Sequence, residues 1–400
     1  MTVSQDQQSS RRIRLIGQCD RTIWGLSPLE RMIRIGRRFG ITDVKAWAPG
    51  EEAAAEGLTL VLRTDTIIED RIVPALFKRA PTVLHRGTQA VPGPVVAACV
   101  DGEHLSRAGA LVEGTAKEAV PADWVSLTAD AHELSYNEFL RKRAVPFVLN
   151  IDVTPVHEIE QRMFGASYKG ATDFVTKWLW PRPALRATRW CAARGISPNQ
   201  VTALSAIFVL MAMWMFWIGQ FGLGLVFAWA MTFLDTVDGK LARVTVTSSK
   251  WGNVFDHGID MVHPPFWYWA WWNALGMMNR EAGPLEGILG LDASFAVIVA
   301  GYVAGRLLEG AFIALFKFEM HVWKPFDFWF RAVTARRNPN LAILLVAVIA
   351  GVPAEGFVAV ALWTIAGLIV HGVRLIQAVV ARSRGAAVES FLSEPAPAAA

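Results

Sequence analysis

Four aspartates are the residues of this sequence best suited to chemistry. Asp235 and Asp238 lie in the segment DTVDGKLAR, and Asp256 and Asp260 lie in GNVFDHGID. Because a helix turns by about 100° per residue, each pair falls on one helix face, and the two faces can point at each other. Clustered carboxylates need a compensating positive charge, and Mg²⁺ or Mn²⁺ accepts carboxylate oxygens while leaving positions for water and phosphate. The pattern therefore predicts a divalent-cation site that handles phosphate groups.

Small residues accompany these carboxylates. Gly239, Ala242 and Gly252 have little or no side chain, so a planar base or a diphosphate can approach the helix backbone beside them. A charged loop with helix-capping aspartates would explain one or two of the carboxylates but not the full set. The combination favours a site for chemistry over a structural loop.

The segments that carry these residues are predicted membrane helices. The 40 residues from Gly195 to Leu234 contain no Lys, Arg, Asp or Glu. That length suffices for two spans of ~20 residues each. Further apolar stretches cover 253–276, 289–316, 341–354 and 356–373. The sequence therefore predicts an all-α transmembrane domain of six helices over residues 196–380.

Basic residues are distributed unequally over the predicted connections. Sixteen Lys and Arg fall on one side of the predicted membrane, and Arg280 alone falls on the other. Because cytoplasmic loops are rich in Lys and Arg, both termini and the four aspartates are predicted to lie on the cytoplasmic side of the cytoplasmic membrane. The first twelve residues lack the apolar run of a secretory signal, so export of the N-terminal half is not expected.

Composition excludes a single uniform globular protein. Only 13 of the 74 charged residues lie between Ile196 and Phe316, although 53% of the whole chain is hydrophobic. The net charge of +4 is small for 400 residues, so no nucleic-acid partner is predicted. Cys19, Cys99 and Cys191 show neither a disulfide framework nor a zinc-site spacing, which is typical of a reducing compartment.

The N-terminal part, residues 13–170, alternates short apolar runs with helical patterns and is predicted to be a cytosolic α/β domain. Asp65 and Asp152 each follow a predicted buried strand, where ligands of open α/β sheets bind; turn or cap aspartates are the equal alternative. Residues 1–12 are predicted to be disordered, residues 171–195 to form an interfacial linker helix, and residues 381–400 to be a disordered tail.

Other polar and aromatic residues of the predicted spans allow two interpretations. Arg306 and Glu309 form either a mutual salt bridge or, through Arg306, a phosphate-binding site for an acceptor. His257 and His263 are interpreted as packing residues or as groups that support the metal ligands, and not as ligands themselves, because carboxylates suit a hard cation better. Arg336 and Arg337 are explained by topology, although they also suit anionic head groups or an acceptor phosphate. A cluster of tryptophans is predicted to anchor the third span at the outer interface, namely Trp267, Trp269, Trp271 and Trp272.

The aspartate motif resembles that of a known family. The pattern D-x-x-D-G-x-x-A-R, followed after eight residues by G-x-x-x-D-x-x-x-D, is similar to the signature of the CDP-alcohol phosphotransferases, also called CDP-alcohol phosphatidyltransferases. The resemblance implies an enzyme that moves a phosphoalcohol group from a CDP-linked donor to a hydroxyl acceptor and releases CMP. Its donor would be of the CDP-diacylglycerol or the CDP-inositol type, with membrane lipids as further partners and a homodimer as the possible assembly.

The resemblance also implies roles for individual residues. Asp256 and Asp260 would be catalytic, with Asp260 taking the acceptor proton. Two Mg²⁺ or Mn²⁺ ions would be held by Asp235, Asp238, Asp256 and Asp260. The cytidine diphosphate pocket would be shaped by Gly239, Ala242, Arg243 and Gly252.

The N-terminal domain resembles that of the bifunctional inositol-phosphate cytidylyltransferase and di-inositol-phosphate phosphate synthase proteins, through IDVTP, KGATDF and ISPNQVT. Their glycine-rich loop with basic residues has no counterpart between Gly17 and Leu29, so a degenerate nucleotidyltransferase-like domain is expected. The alternatives for the whole chain are an inactive scaffold that binds CDP ligands and an ion-coupled transporter. A transporter is disfavoured because residues 196–290 and 290–380 share no internal repeat.

Overall fold

The computed structural model describes residues 11–48, 56–247, 250–278 and 283–393, with residues 250–257 described as backbone only. The chain divides into two compact units. The N-terminal unit comprises Met1–Tyr168, Arg189–Gly195 and Lys240–Thr247, and the helical unit comprises Lys169–Thr188, Ile196–Gly239 and Ser248–Ala400. Of residues 1–12, which were predicted to be disordered, residues 1–10 lie outside the described residues, and the prediction is wrong for Arg12, which begins the first strand.

A mixed sheet forms the centre of the N-terminal unit. The strands of its described part are β1 (Arg12–Ile16), β2 (Asp43–Ala46), β3 (Thr59–Arg63), β4 (Thr66–Ile68), β5 (Thr82–His85), β6 (Val95–Val100), β7 (Val125–Thr128), β8 (Tyr136–Asn137), β9 (Lys142–Arg143) and β10 (Val148–Asn150). The main sheet has the order β2-β1-β3-β6-β5-β7, with β6 antiparallel to both neighbours and the other pairs parallel. The predicted combination of sheet and helices is confirmed for this unit.

Short helices alternate with the strands in the described part of this unit. They are α1 (Pro28–Arg38), α2 (Ile72–Lys78), α3 (Leu105–Glu113), α4 (His132–Ser135) and α5 (Val156–Ala166). Helix α1 begins at Pro28 because Ser27 caps it: the Ser27 hydroxyl accepts from the Glu30 amide at 3.3 Å, and the Glu30 side chain accepts from the Ser27 amide at 2.9 Å.

One strand prediction in this unit is wrong. Asp152 was expected to follow a buried strand, as Asp65 does at the end of β3. Strand β10, which precedes Asp152, is only half-buried because it pairs with β4 in a separate two-stranded ribbon. Hydrophobicity predicted the strand but not its partner, since partner choice depends on contacts distant in sequence.

The helical unit contains the predicted membrane helices. Its helices are α6 (Pro181–Ala193), α7 (Pro198–Trp217), α8 (Phe221–Val244), α9 (Lys250–Met277), α10 (Leu291–Phe316), α11 (Pro325–Phe330), α12 (Arg337–Ile349) and α13 (Pro353–Ser383). The last turn of α8 and the end of α6 belong to the N-terminal unit. Helix α6 lies where the linker helix was predicted, and a π-helix, Val175–Leu179, precedes it.

Four helices of the described residues are long and apolar enough to cross a membrane, namely α7, α8, α10 and α13. Helix α12 is apolar but has only 13 residues. Helix α9 has 28 residues and occupies the position of the predicted third span. The count of six spans stays a prediction.

The tryptophans of α9 do not all serve as interface anchors. Trp271 is 1% exposed and stacks on Phe221 with ring centroids 4.3 Å apart, and Trp267 donates from its indole nitrogen to the Val209 carbonyl at 3.0 Å. The anchor prediction is wrong for these two because their large rings fill the core of the helical unit. Trp269, at 39% exposed, stays at the surface.

The tail also differs from the prediction of disorder over 381–400. Residues 381–383 complete helix α13. Ser390 donates from its hydroxyl to the Val322 carbonyl at 2.9 Å, Phe391 donates from its amide to the same carbonyl at 3.1 Å, and Leu392 is buried. The apolar pair Phe391 and Leu392 anchors a segment that composition alone marks as low-complexity, and only residues 394–400 lie outside the described residues.

Candidate functional site

Three of the four motif aspartates have described side chains, and these belong to the helical unit. Asp235 and Asp238 lie on α8, three residues apart, and Asp260 lies on α9. Helix α8 continues as a regular helix through the whole motif DTVDGKLAR, as the sequence predicts. Asp256 and Gly252 lie within the backbone of α9, but their side-chain environment lies outside the described residues.

Arg337, at the start of α12, joins the two helices. Its guanidinium donates to Oδ2 of Asp235 and to Oδ1 of Asp260. The Arg337 side chain is 16% exposed, Asp235 is 20% exposed and Asp260 is 38% exposed. The Arg337 guanidinium thus lies between two carboxylates that would otherwise repel each other. Asp235 and Asp260 therefore face the same positively charged group.

Asp238 is the buried member of the set. Its residue is 4% exposed, and Oδ2 accepts a hydrogen bond from the Thr202 hydroxyl at 2.6 Å. Its other oxygen, Oδ1, is buried and has no hydrogen-bond partner within the described part of the chain. A buried carboxylate oxygen without a partner is costly unless a ligand satisfies it, so this donor set fits a hard divalent cation.

The role of Thr202 gives a direct prediction. Thr202→Val keeps the side-chain shape but removes the donor that orients Asp238, and losing such a supporting bond costs about 10–100-fold in metal affinity. We expect a corresponding rise in the dissociation constant for Mn²⁺, measured by titration of the purified protein in nanodiscs.

Thr364→Val is the matched control. Thr364 is a buried threonine of α13 whose hydroxyl donates only to the Val360 carbonyl, at 2.8 Å, among the bonds of the described residues. This variant should bind Mn²⁺ as the wild type does. If Thr202→Val and the wild type bind Mn²⁺ with equal affinity, Asp238 is not a metal ligand.

Three of the residues predicted to shape the nucleotide pocket have described side-chain positions along α8. Gly239 belongs to the helical unit and follows Asp238 directly. Ala242 and Arg243 are half-buried residues on the last turn of α8, within the N-terminal unit. The structure therefore places these three residues on one helix.

Two consecutive prolines interrupt the hydrogen bonding of α9 beside Asp260. Pro265 has no amide hydrogen to donate to the Met261 carbonyl, four residues earlier. The Tyr302 hydroxyl of α10 donates to this carbonyl at 2.9 Å instead. His263 bonds the Ile259 carbonyl through Nδ1 at 2.7 Å and packs against Trp267, which confirms its interpretation as a packing residue. His257 has no described side chain.

A second polar cluster surrounds Glu309 of α10. Arg306 forms the predicted salt bridge with it, with Nη1 and Oε2 3.4 Å apart. Arg336 also donates to Glu309, and His321 Nε2 lies 3.3 Å from Glu309 Oε1. The salt-bridge interpretation is confirmed, and Arg336 has a contact that topology alone did not predict.

This cluster is better suited to anions than to a metal ion. Glu309, His321 and His371 each offer a ligand atom, and these atoms lie within 4.8 Å of one another. Two guanidinium groups, Arg306 and Arg336, already balance Glu309, and they would repel a divalent cation.

The KGATDF segment supports the start of α12. Asp173 accepts from the Asn338 side chain at 2.9 Å and from the Thr176 amide at 3.0 Å. Asn338 directly follows Arg337, so this contact helps to fix the arginine that joins Asp235 and Asp260. The sequence pattern identified the segment but not this partner, because Asp173 and Asn338 are 165 residues apart in the chain.

In the N-terminal unit, the carboxylate of Asp65 is occupied by hydrogen bonds from neighbouring side chains. Arg63 donates to both of its carboxylate oxygens, at 3.0 and 2.6 Å, and the Thr66 hydroxyl donates to Oδ1 at 2.8 Å. Burial raises the pKa of Asp65, but these hydrogen bonds outweigh it and hold the pKa below its usual range. Asp152 is exposed. Arg63 thus already neutralises the carboxylate predicted to bind metal.

These features define a cluster of carboxylates on membrane-type helices, in which the Arg337 guanidinium lies between Asp235 of α8 and Asp260 of α9. Residues 195–337 match the family model of the CDP-alcohol phosphatidyltransferases. This part of the chain is therefore a domain of the CDP-alcohol phosphatidyltransferase family, a family of transferases.

A curated relative supports the same assignment. An archaetidylinositol phosphate synthase of Pyrococcus horikoshii is 38% identical over 80 residues, which cover 20% of this chain and 42% of the relative. The chain thus matches less than half of the length of this relative.

Proposed function

We propose that this protein is an integral-membrane transferase that moves a phosphoalcohol group from a CDP-linked donor to a hydroxyl acceptor and releases CMP. The observation that carries the proposal is that Asp235 and Asp260 both bind the Arg337 guanidinium. The buried Asp238, which has one carboxylate oxygen without a hydrogen-bond partner among the described residues, lies on the same helix as Asp235. The match of residues 195–337 to the transferase family supports the same reaction.

The proposed metal ligands are the four motif aspartates, Asp235, Asp238, Asp256 and Asp260. Two bound Mg²⁺ or Mn²⁺ ions would supply the positive charge that stabilises attacking and leaving oxygens in phosphoryl transfer. Asp260 is proposed to accept the proton of the acceptor hydroxyl, and Asp256 to support it as a catalytic residue. The greater exposure of Asp260, at 38% of its side chain, suits a group that meets an entering substrate.

The proposed nucleotide pocket consists of Gly239, Ala242, Arg243 and Gly252. Three of these residues offer no bulky side chain, so that a diphosphate or a cytosine ring can lie close to the helices. Arg243 supplies a guanidinium group, which suits a phosphate oxygen better than a neutral side chain would.

The acceptor is proposed to carry a phosphate group of its own. The Pyrococcus relative is named as a synthase of archaetidylinositol phosphate. Arg306 and Arg336 form a basic cluster around the carboxylate of Glu309, in the same helical unit as Asp260. Such a cluster provides charge for a phosphorylated alcohol, so inositol phosphate is the first acceptor to test.

The donor is proposed to be a CDP-linked lipid of the CDP-diacylglycerol type. Met261 and Val262, which follow Asp260 on α9, are 60% and 59% exposed. Apolar side chains exposed on a membrane helix face lipid, so acyl chains of a donor would reach the reacting groups from the bilayer. CDP-inositol, with a lipid hydroxyl as acceptor, is the other donor class to be tested.

The proposal includes a topology and a domain organisation. Six spans place both termini and the site in the cytoplasm, and the N-terminal unit is a degenerate nucleotidyltransferase-like domain. The charge distribution of sixteen basic residues against one supports the orientation. A homodimer stays a prediction of the family resemblance.

CMP release tests the function. Protein in lipid nanodiscs with Mg²⁺ is given CDP-diacylglycerol or CDP-inositol with inositol phosphate, inositol or a lipid extract, and Asp256→Asn serves as the inactive comparison. We expect CMP only with CDP-diacylglycerol and inositol phosphate, and none from the variant. CMP release from CDP-inositol and lipid would mean that the donor is of the CDP-inositol type and that the acceptor is a lipid hydroxyl. Cytidine nucleotide binding without CMP from any pair would favour the inactive scaffold.

A further inference from the structure

Helix α8 ends in a turn that its own sequence does not favour. The Thr247 amide donates to the Ala242 carbonyl at 2.9 Å, and the Val246 amide donates to the Arg243 carbonyl at 3.4 Å. This pair of bonds is the Schellman motif, which places one residue in the left-handed region, usually glycine. Here that residue is Val246, with φ of 51°. A β-branched residue adopts this conformation only where its surroundings impose it.

Two arginines of the N-terminal unit hold this turn. Arg31 donates from Nη1 to the Val244 carbonyl at 2.9 Å, and Arg34 donates from Nη1 to the Thr245 carbonyl at 2.8 Å. Both arginines lie on α1, three residues apart, and Arg31 is 6% exposed. Cations at a helix C-terminus satisfy carbonyls that the helix leaves unbonded and complement its dipole.

Side-chain packing holds the same segment. Val246 packs against the hydrophobic core of the N-terminal unit, and Leu241 and Val244 are 1% and 2% exposed. Lys240, at 3% exposed, lies with Nζ 3.6 Å from the centre of the Tyr168 ring. The last turn of α8 is therefore part of the fold of the N-terminal unit rather than a free helix end.

We propose that the N-terminal unit positions the nucleotide-binding end of α8, and that Arg31 and Arg34 are its positioning residues. The carbonyls that accept the two turn bonds belong to Ala242 and Arg243, which the proposed function places in the nucleotide pocket; the proposal rests on that function. Arg31 and Arg34 hold the Val244 and Thr245 carbonyls, which directly follow Ala242 and Arg243 in the chain. They therefore fix the orientation of Ala242 and Arg243. The unit then serves the reaction without any nucleotidyl transfer of its own.

Amide hydrogen exchange and steady-state kinetics test the proposal together. Arg31→Ala removes a charge-assisted bond to a helix end, so exchange at Val246 and Thr247 should become roughly tenfold faster or more. The KM for the CDP-linked donor should rise while kcat changes less, since binding geometry rather than the reacting carboxylates is altered. Arg31→Lys should restore part of both. Arg37→Ala, an exposed arginine of the same helix, should change neither.

A rescue separates positioning from a general loss of stability. Glycine adopts the left-handed conformation without strain, so Val246→Gly in the Arg31→Ala background should bring exchange and donor KM back toward wild type. If Arg31→Ala does not fold, Arg34→Ala, whose arginine is only half-buried, takes its place.

Two outcomes would overturn the proposal. One is exchange at residues 245–247 that is unchanged in Arg31→Ala and Arg34→Ala; the other is a fall of kcat with unchanged donor KM. Absence of CMP release from the wild type with every substrate pair would instead refute the proposed function, and the exchange data would still decide whether the arginines hold the turn.

Discussion

Asp260→Asn is expected to lower the rate of CMP release by about 10²–10⁴-fold, the contribution typical of a general base. Asparagine has the shape of aspartate and can still accept from Arg337, so the link between α8, α9 and α12 remains. It cannot take the proton of an acceptor hydroxyl. The measurement is the initial rate of CMP release in nanodiscs at saturating Mg²⁺ and donor.

A matched control separates this role from a general effect of the substitution. Asp292, in the first turn of α10, is exposed and accepts from the Trp272 indole at 2.9 Å, a bond that asparagine also accepts. Asp292→Asn should therefore release CMP at the wild-type rate. If raised Mn²⁺ restores the rate of Asp260→Asn, the variant has lost metal affinity only, and the role of Asp260 as the base is refuted.

The sequence predicted the residues of the site better than their partners. The spacing of Asp235 and Asp238 predicted one helix face, and both lie on the regular helix α8. Their partners are Arg337 and Thr202, which are 102 and 36 residues away in the chain. Local periodicity carries no information about such contacts, because it specifies a face of a helix and not the helix that packs against it.

Arg336 and Arg337 illustrate the limit of charge patterns. The positive-inside rule explains both residues equally well and assigns neither a contact. In the structure Arg336 pairs with Glu309, whereas Arg337 joins Asp235 and Asp260. Adjacent residues at a helix start point in different directions, so two basic residues with one topological explanation acquire two different functions.

Element prediction failed where tertiary contacts override composition. Trp267 and Trp271 match an interfacial belt in sequence, but packing with Phe216 places them in the core. Val246 is the opposite case, since neither its side chain nor its neighbours in sequence predict a left-handed turn. The contacts with Arg31 and Arg34 come from residues more than 200 positions away.

Arg337→Gln is expected to destabilise the protein strongly in EDTA and much less in Mg²⁺. Removing one partner of a fully buried ion pair leaves uncompensated charge and costs about 3–5 kcal/mol, and the cost here is smaller because 38% of the Asp260 side chain is exposed to solvent. Asp235 and Asp260 would then repel each other without a cation between them. A divalent ion that binds the folded protein supplies that charge and stabilises it by mass action. The measurement is the thermal unfolding midpoint in nanodiscs with EDTA and with Mg²⁺.

Arg374→Gln is the control for this comparison. Arg374 forms a two-point ion pair with Asp327, at 2.6 and 2.7 Å, and Asp327 is 4% exposed, so a comparable buried pair is broken away from the motif aspartates. Both variants should lose stability in EDTA, but Mg²⁺ should restore only Arg337→Gln. The same loss for both variants in both buffers would mean that Asp235 and Asp260 do not bind the metal. A wild-type-like midpoint of Arg337→Gln in EDTA would mean that the two carboxylates need no cation between them.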